Sequence, residues 1–221
     1  MLPDADIIAG LPTLHRFALA YAPRAARAPT LALLALDARL AGIVRSGREP
    51  MLAQLRLAWW RDRLGEAAGT RPAGEPLLAL LGTWGGHAAS LVALVDGWEQ
   101  LVGDVPLPAS GFAALAAVRG DGFATLAGLL GEGDAAERVR RAAHDWALVD
   151  IAAHLSDPAE REALAGLVAA RDWTGIALPR SVRPLAVLRG LAARSTRRSD
   201  DYPPHGPGAL AAAVRLGLAG R

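Results

Sequence analysis

Four side chains have the type and spacing to do chemistry: Asp37, Asp150, His154 and Asp157. Between 29 and 45 the apolar stripe is Leu33, Leu36, Leu40 and Val44. At about 100° per residue, Asp37 falls inside that stripe rather than opposite it. Between 135 and 155 the stripe is Val139, Ala142, Trp146, Val149 and Ala153. Asp150, His154 and Asp157 follow beside it at i, i+4 and i+7, an arc of about 60° if the helix continues that far. Each long helix therefore brings a carboxylate to the edge of the core, which is how helical bundles assemble sites for divalent cations. The same residues also have a structural reading. Asp37 can pair with Arg39 or Arg16, Asp157 can cap the next helix, and His154 can sit satisfied on a helix flank.

Other chemistries find less support. The chain has no cysteine, which removes disulfides, thiolate nucleophiles and cysteine-based metal sites. It has no Gly-x-Ser-x-Gly elbow, no glycine-rich phosphate loop and no His-Glu-x-x-His. Arg56 and Arg63 lie seven apart beside Trp59 and Trp60 and could hold a phosphate, but a solvated face with arginine stems on the indoles is the better reading.

The elements that must position these residues are helices. Apolar spacing is helical almost throughout, with proline and glycine as punctuation. Helices are expected over 13–21, 29–45, 50–66, 76–82, 87–102, 108–131, 135–155, 158–171, 184–196 and 207–218. Gly120-Asp121-Gly122 could interrupt the sixth of these. Pro29 and Thr30 are expected to open the second, and Ser156-Asp157-Pro158 to cap the helix at 158. Trp59, Trp60 and Trp146 sit on apolar faces and are expected to be buried. Three prolines, a glycine and two acids between Ser199 and Pro207 mark a linker, so 1–198 is read as the domain and 199–221 as a linker with a short helix.

Composition sets the frame. With 221 residues, 52% of them apolar and 21% charged, the chain can bury a sizeable core. All 24 basic residues are arginine, but 22 acids leave a net charge of only +2, and no nucleic-acid partner is expected. The longest uncharged stretch, Pro76 to Val95, has a glycine-rich middle that suits two helices meeting better than one membrane span. The first residues, Met1 to Asp6, lack the basic and apolar regions of a signal peptide. The expected location is cytoplasmic, with peripheral membrane association left open and no transmembrane segment.

The run Glu49-Pro50-Met51-Leu52-Ala53-Gln54-Leu55-Arg56-Leu57-Ala58-Trp59-Trp60-Arg61-Asp62 resembles the squalene/phytoene synthase family, especially a bacterial branch related to a mitochondrial respiratory complex I assembly factor. The resemblance continues at Asp96-Gly97-Trp98-Glu99, at Arg119-Gly120-Asp121-Gly122-Phe123 and at Trp146-Ala147-Leu148-Val149-Asp150-Ile151. It resumes at Leu178-Pro179-Arg180-Ser181-Val182-Arg183-Pro184-Leu185, in family order. It implies an all-α, isoprenoid-synthase-like helical bundle with a central cavity. Catalytic members condense two prenyl diphosphates head to head and hold Mg²⁺ on two aspartate-rich motifs. In this sequence the first motif falls on Ala41, Gly42 and Arg45, and the second on Asp150, His154 and Pro158. Only Asp150 keeps a chelating acid.

The expected function is therefore a non-catalytic accessory or assembly factor that acts by binding, with a membrane-complex protein or a prenyl or lipid-like ligand as partner. No catalytic residue and no cofactor are expected. Asp37, Arg45, Asp150 and His154 should line a pocket rim, with Arg45 in place of a metal and paired to Asp150. The alternative is a divergent prenyl diphosphate transferase of isoprenoid, carotenoid or hopanoid synthesis, which would require Mg²⁺. A plain lipid carrier would use the apolar cavity alone.

Overall fold

A computed structural model describes residues 3–46 and 49–220; Met1 and Leu2, with which the expected leaderless start begins, lie outside them. The architecture is all-α, with no strand among the described residues. The helices are α1 (Pro3–Ala9), α2 (Thr13–Leu19), α3 (Arg24–Ser46), α4 (Pro50–Gly65), α5 (Pro76–Leu80) and α6 (Val92–Glu99). There follow α7 (Ala109–Leu129), α8 (Ala136–Ala152), α9 (Pro158–Ala169), α10 (Arg183–Arg198) and α11 (Pro207–Ala219). A run of 3₁₀ turns, Leu81–Leu91, joins α5 to α6.

α7 and α8 form the most extensive packing pair, and α3, α6 and α10 close around them. The expected stripes supply most of the core: Leu33, Leu36 and Leu40 of α3, and Val139, Ala142, Trp146 and Val149 of α8, are buried, while Val44 is half-buried and Ala153, past the end of α8, is exposed. Gly120 lets α7 and α8 approach, because a Cβ there would stand 3.0 Å from the Arg140 carbonyl oxygen. That contact explains why Gly120-Asp121-Gly122 does not break α7.

α3 starts at Arg24, five residues earlier than expected, and carries Pro29 inside it. Lacking an N–H, Pro29 leaves one carbonyl of the first turns unbonded, a small loss so near a helix start. Its own carbonyl accepts from the indole of fully buried Trp84 at 2.9 Å. Asp157 caps α9 as expected, accepting from the Ala159 and Glu160 amides at 2.9 and 3.0 Å.

Trp60 and Trp146 are buried, but Trp59 is 40% exposed. It shares a solvent-facing stripe with Met51 (78% exposed) and Leu55 (67%) at i, i+4 and i+8.

The segments Pro76–Glu99 and Ala109–Leu129 are long and apolar enough to cross a membrane by length and composition. The first changes direction at Gly85, whose φ of 51° belongs to no right-handed helix. α11 packs on α10, and the expected linker before it brings Tyr202 to the core, where its hydroxyl accepts from Trp146 Nε1 at 3.0 Å.

Candidate functional site

The two core carboxylates meet, and an arginine joins them. Asp37 comes from the stripe of α3, Asp150 from the C-terminal half of α8, and Arg119 from the middle of α7. All three are buried. Arg119 donates Nε and Nη2 to Asp37 Oδ1 and Oδ2 at 3.0 and 2.6 Å, a two-pronged pair, and Nη1 to Asp150 Oδ2 at 2.9 Å. Trp98 Nε1 donates to the same Asp37 Oδ1 at 2.8 Å. The guanidinium carbon lies 5.2 Å from the ring centroids of both Trp98 and Trp146, so indoles cover the charge as well.

Electrostatics follow from this closure. Burial alone would lower the Arg119 pKa, but the Asp37 and Asp150 charges outweigh it and hold it above its ordinary value. Burial likewise pushes the Asp150 carboxyl up, and the Arg119 charge overrides it and holds the carboxyl below its usual range. His15 of α2 stands edge-on to Trp146, ring centroids 5.6 Å apart, with its Nδ1 buried and unbonded. Burial lowers its pKa against the pull of Asp150 and Asp37. Burial, reinforced by the Asp150 charge, raises the Tyr202 phenol well above its ordinary value.

The four expected site residues do not converge. Asp37 and Asp150 do, across Arg119; Arg45 and His154 are exposed. Arg45 lies eight residues beyond Asp37 on the same helix, about 12 Å along the axis and about 80° round it, so the expected Arg45–Asp150 pair does not form. α8 ends at Ala152, before the arc of Asp150, His154 and Asp157 is complete. His154 is turned outward, its Nδ1 2.7 Å from the Asp150 carbonyl oxygen, and Asp157 belongs to the next cap. Asp37 pairs with neither Arg39 nor Arg16: Arg39 reaches Glu75 at 3.2 Å and Arg16 bonds Thr13. A pocket rim between α3 and α8 is replaced by the ion cluster, and none of the four residues lines the cavity beside α10 and α11 or the one between α1 and α3.

A divalent cation does not fit between these acids. Mg²⁺ needs carboxylate oxygens to coordinate, and both oxygens of Asp37 already accept N–H bonds, while a guanidinium charge lies where the metal charge would act. Among the described residues no group of three or more His, Cys, Asp or Glu side chains is arranged to hold a metal.

Helical spacing of the acids does not point to Arg119. Its signal is in the sequence: it is the one basic residue in a 21-residue helix that is otherwise almost wholly apolar. Two acids on core stripes require a buried cation, and Arg119 lies midway along a helix that holds no other basic residue. Four of the five sequence blocks quoted above also come together in the fold. Arg61 bonds Asp96 and Glu99 at 2.8 and 2.6 Å, and Trp98, Arg119, Trp146 and Asp150 are all members of the cluster.

No protein family, curated protein or solved structure matches the chain.

Proposed function

We propose that the chain is a non-catalytic relative of the squalene/phytoene synthases, built on an isoprenoid-synthase-like bundle, that acts by binding as an accessory or assembly factor for a membrane complex. The observation that carries this reading is Arg119. A catalytic member of that family needs facing acids free to coordinate Mg²⁺; here the two facing acids neutralise an internal arginine at 2.6 and 2.9 Å. An ion cluster of this kind ties three helices together, and both Asp37 oxygens and one Asp150 oxygen are already engaged in it.

A binding role gains support from the surface. Met51, Leu55 and Trp59 form an exposed apolar stripe on α4, and exposed apolar patches mark contact surfaces in soluble proteins. Arg56 is exposed on the same helix and adds a cation that suits a partner with acidic margins.

The experiment is affinity capture of the tagged full chain from its native membrane fraction, with cross-linking and mass spectrometry. Capture of a defined set of membrane-complex subunits, reduced at least about fivefold in Met51→Ser/Leu55→Ser, supports the reading. Equal recovery with the double variant and with an unrelated tagged protein contradicts it.

A further inference from the structure

Residues 173–178, α10 and α11 line a half-open cavity of about 590 Å³, within the range of small-molecule sites. Asp37, Arg119 and Asp150 are not among its lining residues. One wall is apolar, formed by Trp173, Ile176, Leu178 and Leu216. Six arginines line the space as well, set among alanine and glycine, and no acidic side chain faces it.

The arginines divide by how they are held. Arg189 is committed to the fold: its Nε and Nη2 bond Asp145 Oδ2 at 3.1 and 3.0 Å, and it also holds the Asp172 and Thr174 carbonyls. Arg197 donates to the Trp173 carbonyl at 3.0 Å, so these two residues pin the loop that forms one wall. Arg183, Arg194, Arg198 and Arg215 pair with no carboxylate among the described residues. The Arg194 Nε–H is buried and has no acceptor. Like charges gathered around one space without counter-charge repel each other and attract an anion. The guanidinium fork matches phosphate oxygens, and several forks around one space suit a dianion.

We infer that this cavity binds a phosphate group carried on an apolar chain, the head against Arg194, Arg198 and Arg215 and the chain along Trp173, Ile176 and Leu216. The inference is independent of the accessory-factor reading, since it involves neither the ion cluster nor the α4 stripe.

Isothermal titration of the full chain tests it with three probes: monooctyl phosphate, inorganic phosphate and 1-octanol. Monooctyl phosphate is expected to bind one saturable site at least about tenfold more tightly than inorganic phosphate, because burial of several methylenes adds to the head contacts. 1-Octanol should give no saturable heat. Arg198→Ala/Arg215→Ala removes two exposed cations and should weaken monooctyl phosphate about tenfold or more while leaving the unfolding midpoint unchanged. Ala177→Glu places an acid in the exposed part of the lining and should do the same without touching the core. The inference is overturned if monooctyl phosphate gives no saturable heat, if inorganic phosphate binds as tightly, or if folded variants bind like the parent chain.

Discussion

Replacing Arg119 by methionine keeps much of the side-chain volume between Trp98 and Trp146 and removes the charge and the three hydrogen bonds it donates. The consequence follows from the geometry. Asp37 loses bonds of 3.0 and 2.6 Å, and Asp150 loses one of 2.9 Å. Both carboxylates then remain buried with no cation between them. Breaking a buried pair by removing one partner costs about 3–5 kcal/mol. For a chain of this size each kcal/mol lowers the melting temperature by about 2–4 °C, so the drop should be about 6–20 °C. The pH dependence should also change sign. In the parent chain the Asp150 carboxyl lies below its usual range in the folded state. Its contribution is present above the unfolded pKa and is lost as pH falls through the folded one. Without Arg119, burial is left to raise that carboxyl, so Arg119→Met should regain stability as the solution is acidified toward about pH 5. Arg119→Lys keeps a charge but cannot fork onto Asp37 while reaching Asp150, and should fall between the two. Calorimetry at two pH values decides it. A loss below about 1 kcal/mol for Arg119→Met, or a loss that deepens on acidification, would refute the reasoning.

Three further outcomes follow from the same packing. Trp146→Ala removes a buried indole that contacts His15, Phe123 and Tyr202; it should cost about 3–5 kcal/mol in denaturant unfolding, and an unchanged midpoint would contradict the core assignment. His15 is held below its ordinary value of 6.5 by burial, so the unfolded chain takes up a proton first as pH falls. The stability it contributes is present above that value and lost below it, and His15→Gln should flatten the melting curve against pH between about 7.5 and 5.5. Gly217 lies against the Tyr21 ring with no space for a Cβ; Gly217→Ala should destabilise the seating of α11 by about 1–3 kcal/mol, seen as faster proteolysis after residue 200.

The helices were legible because burial on one face imposes a helical period on the apolar residues, and that period survives in α3, α8 and α10. Boundaries were less legible. Pro29 reads as a helix start, yet tertiary contacts, among them the Trp84 indole on its carbonyl, sustain five earlier helical residues. Trp59 reads as core by its type, but packing buries only its neighbour Trp60. The acids Asp37 and Asp150 could be found on their stripes; their partner could not be found from helical spacing, because Arg119 lies on a third helix and periodicity says nothing about which helices face each other. Arg45 was placed in the site by motif transfer along α3, and helix geometry carries it two turns away from Asp37 and round to solvent.

The proposed non-catalytic role rests on Arg119, which neutralises the two buried acids Asp37 and Asp150. The most direct test of that role is a turnover assay of the purified chain with farnesyl or geranylgeranyl diphosphate and Mg²⁺, with hydrocarbon products read by mass spectrometry. The expected result is no squalene- or phytoene-type product from the parent chain. Product that forms with Mg²⁺ and disappears in Asp150→Ala would contradict the claim and identify the chain as a divergent prenyl diphosphate transferase.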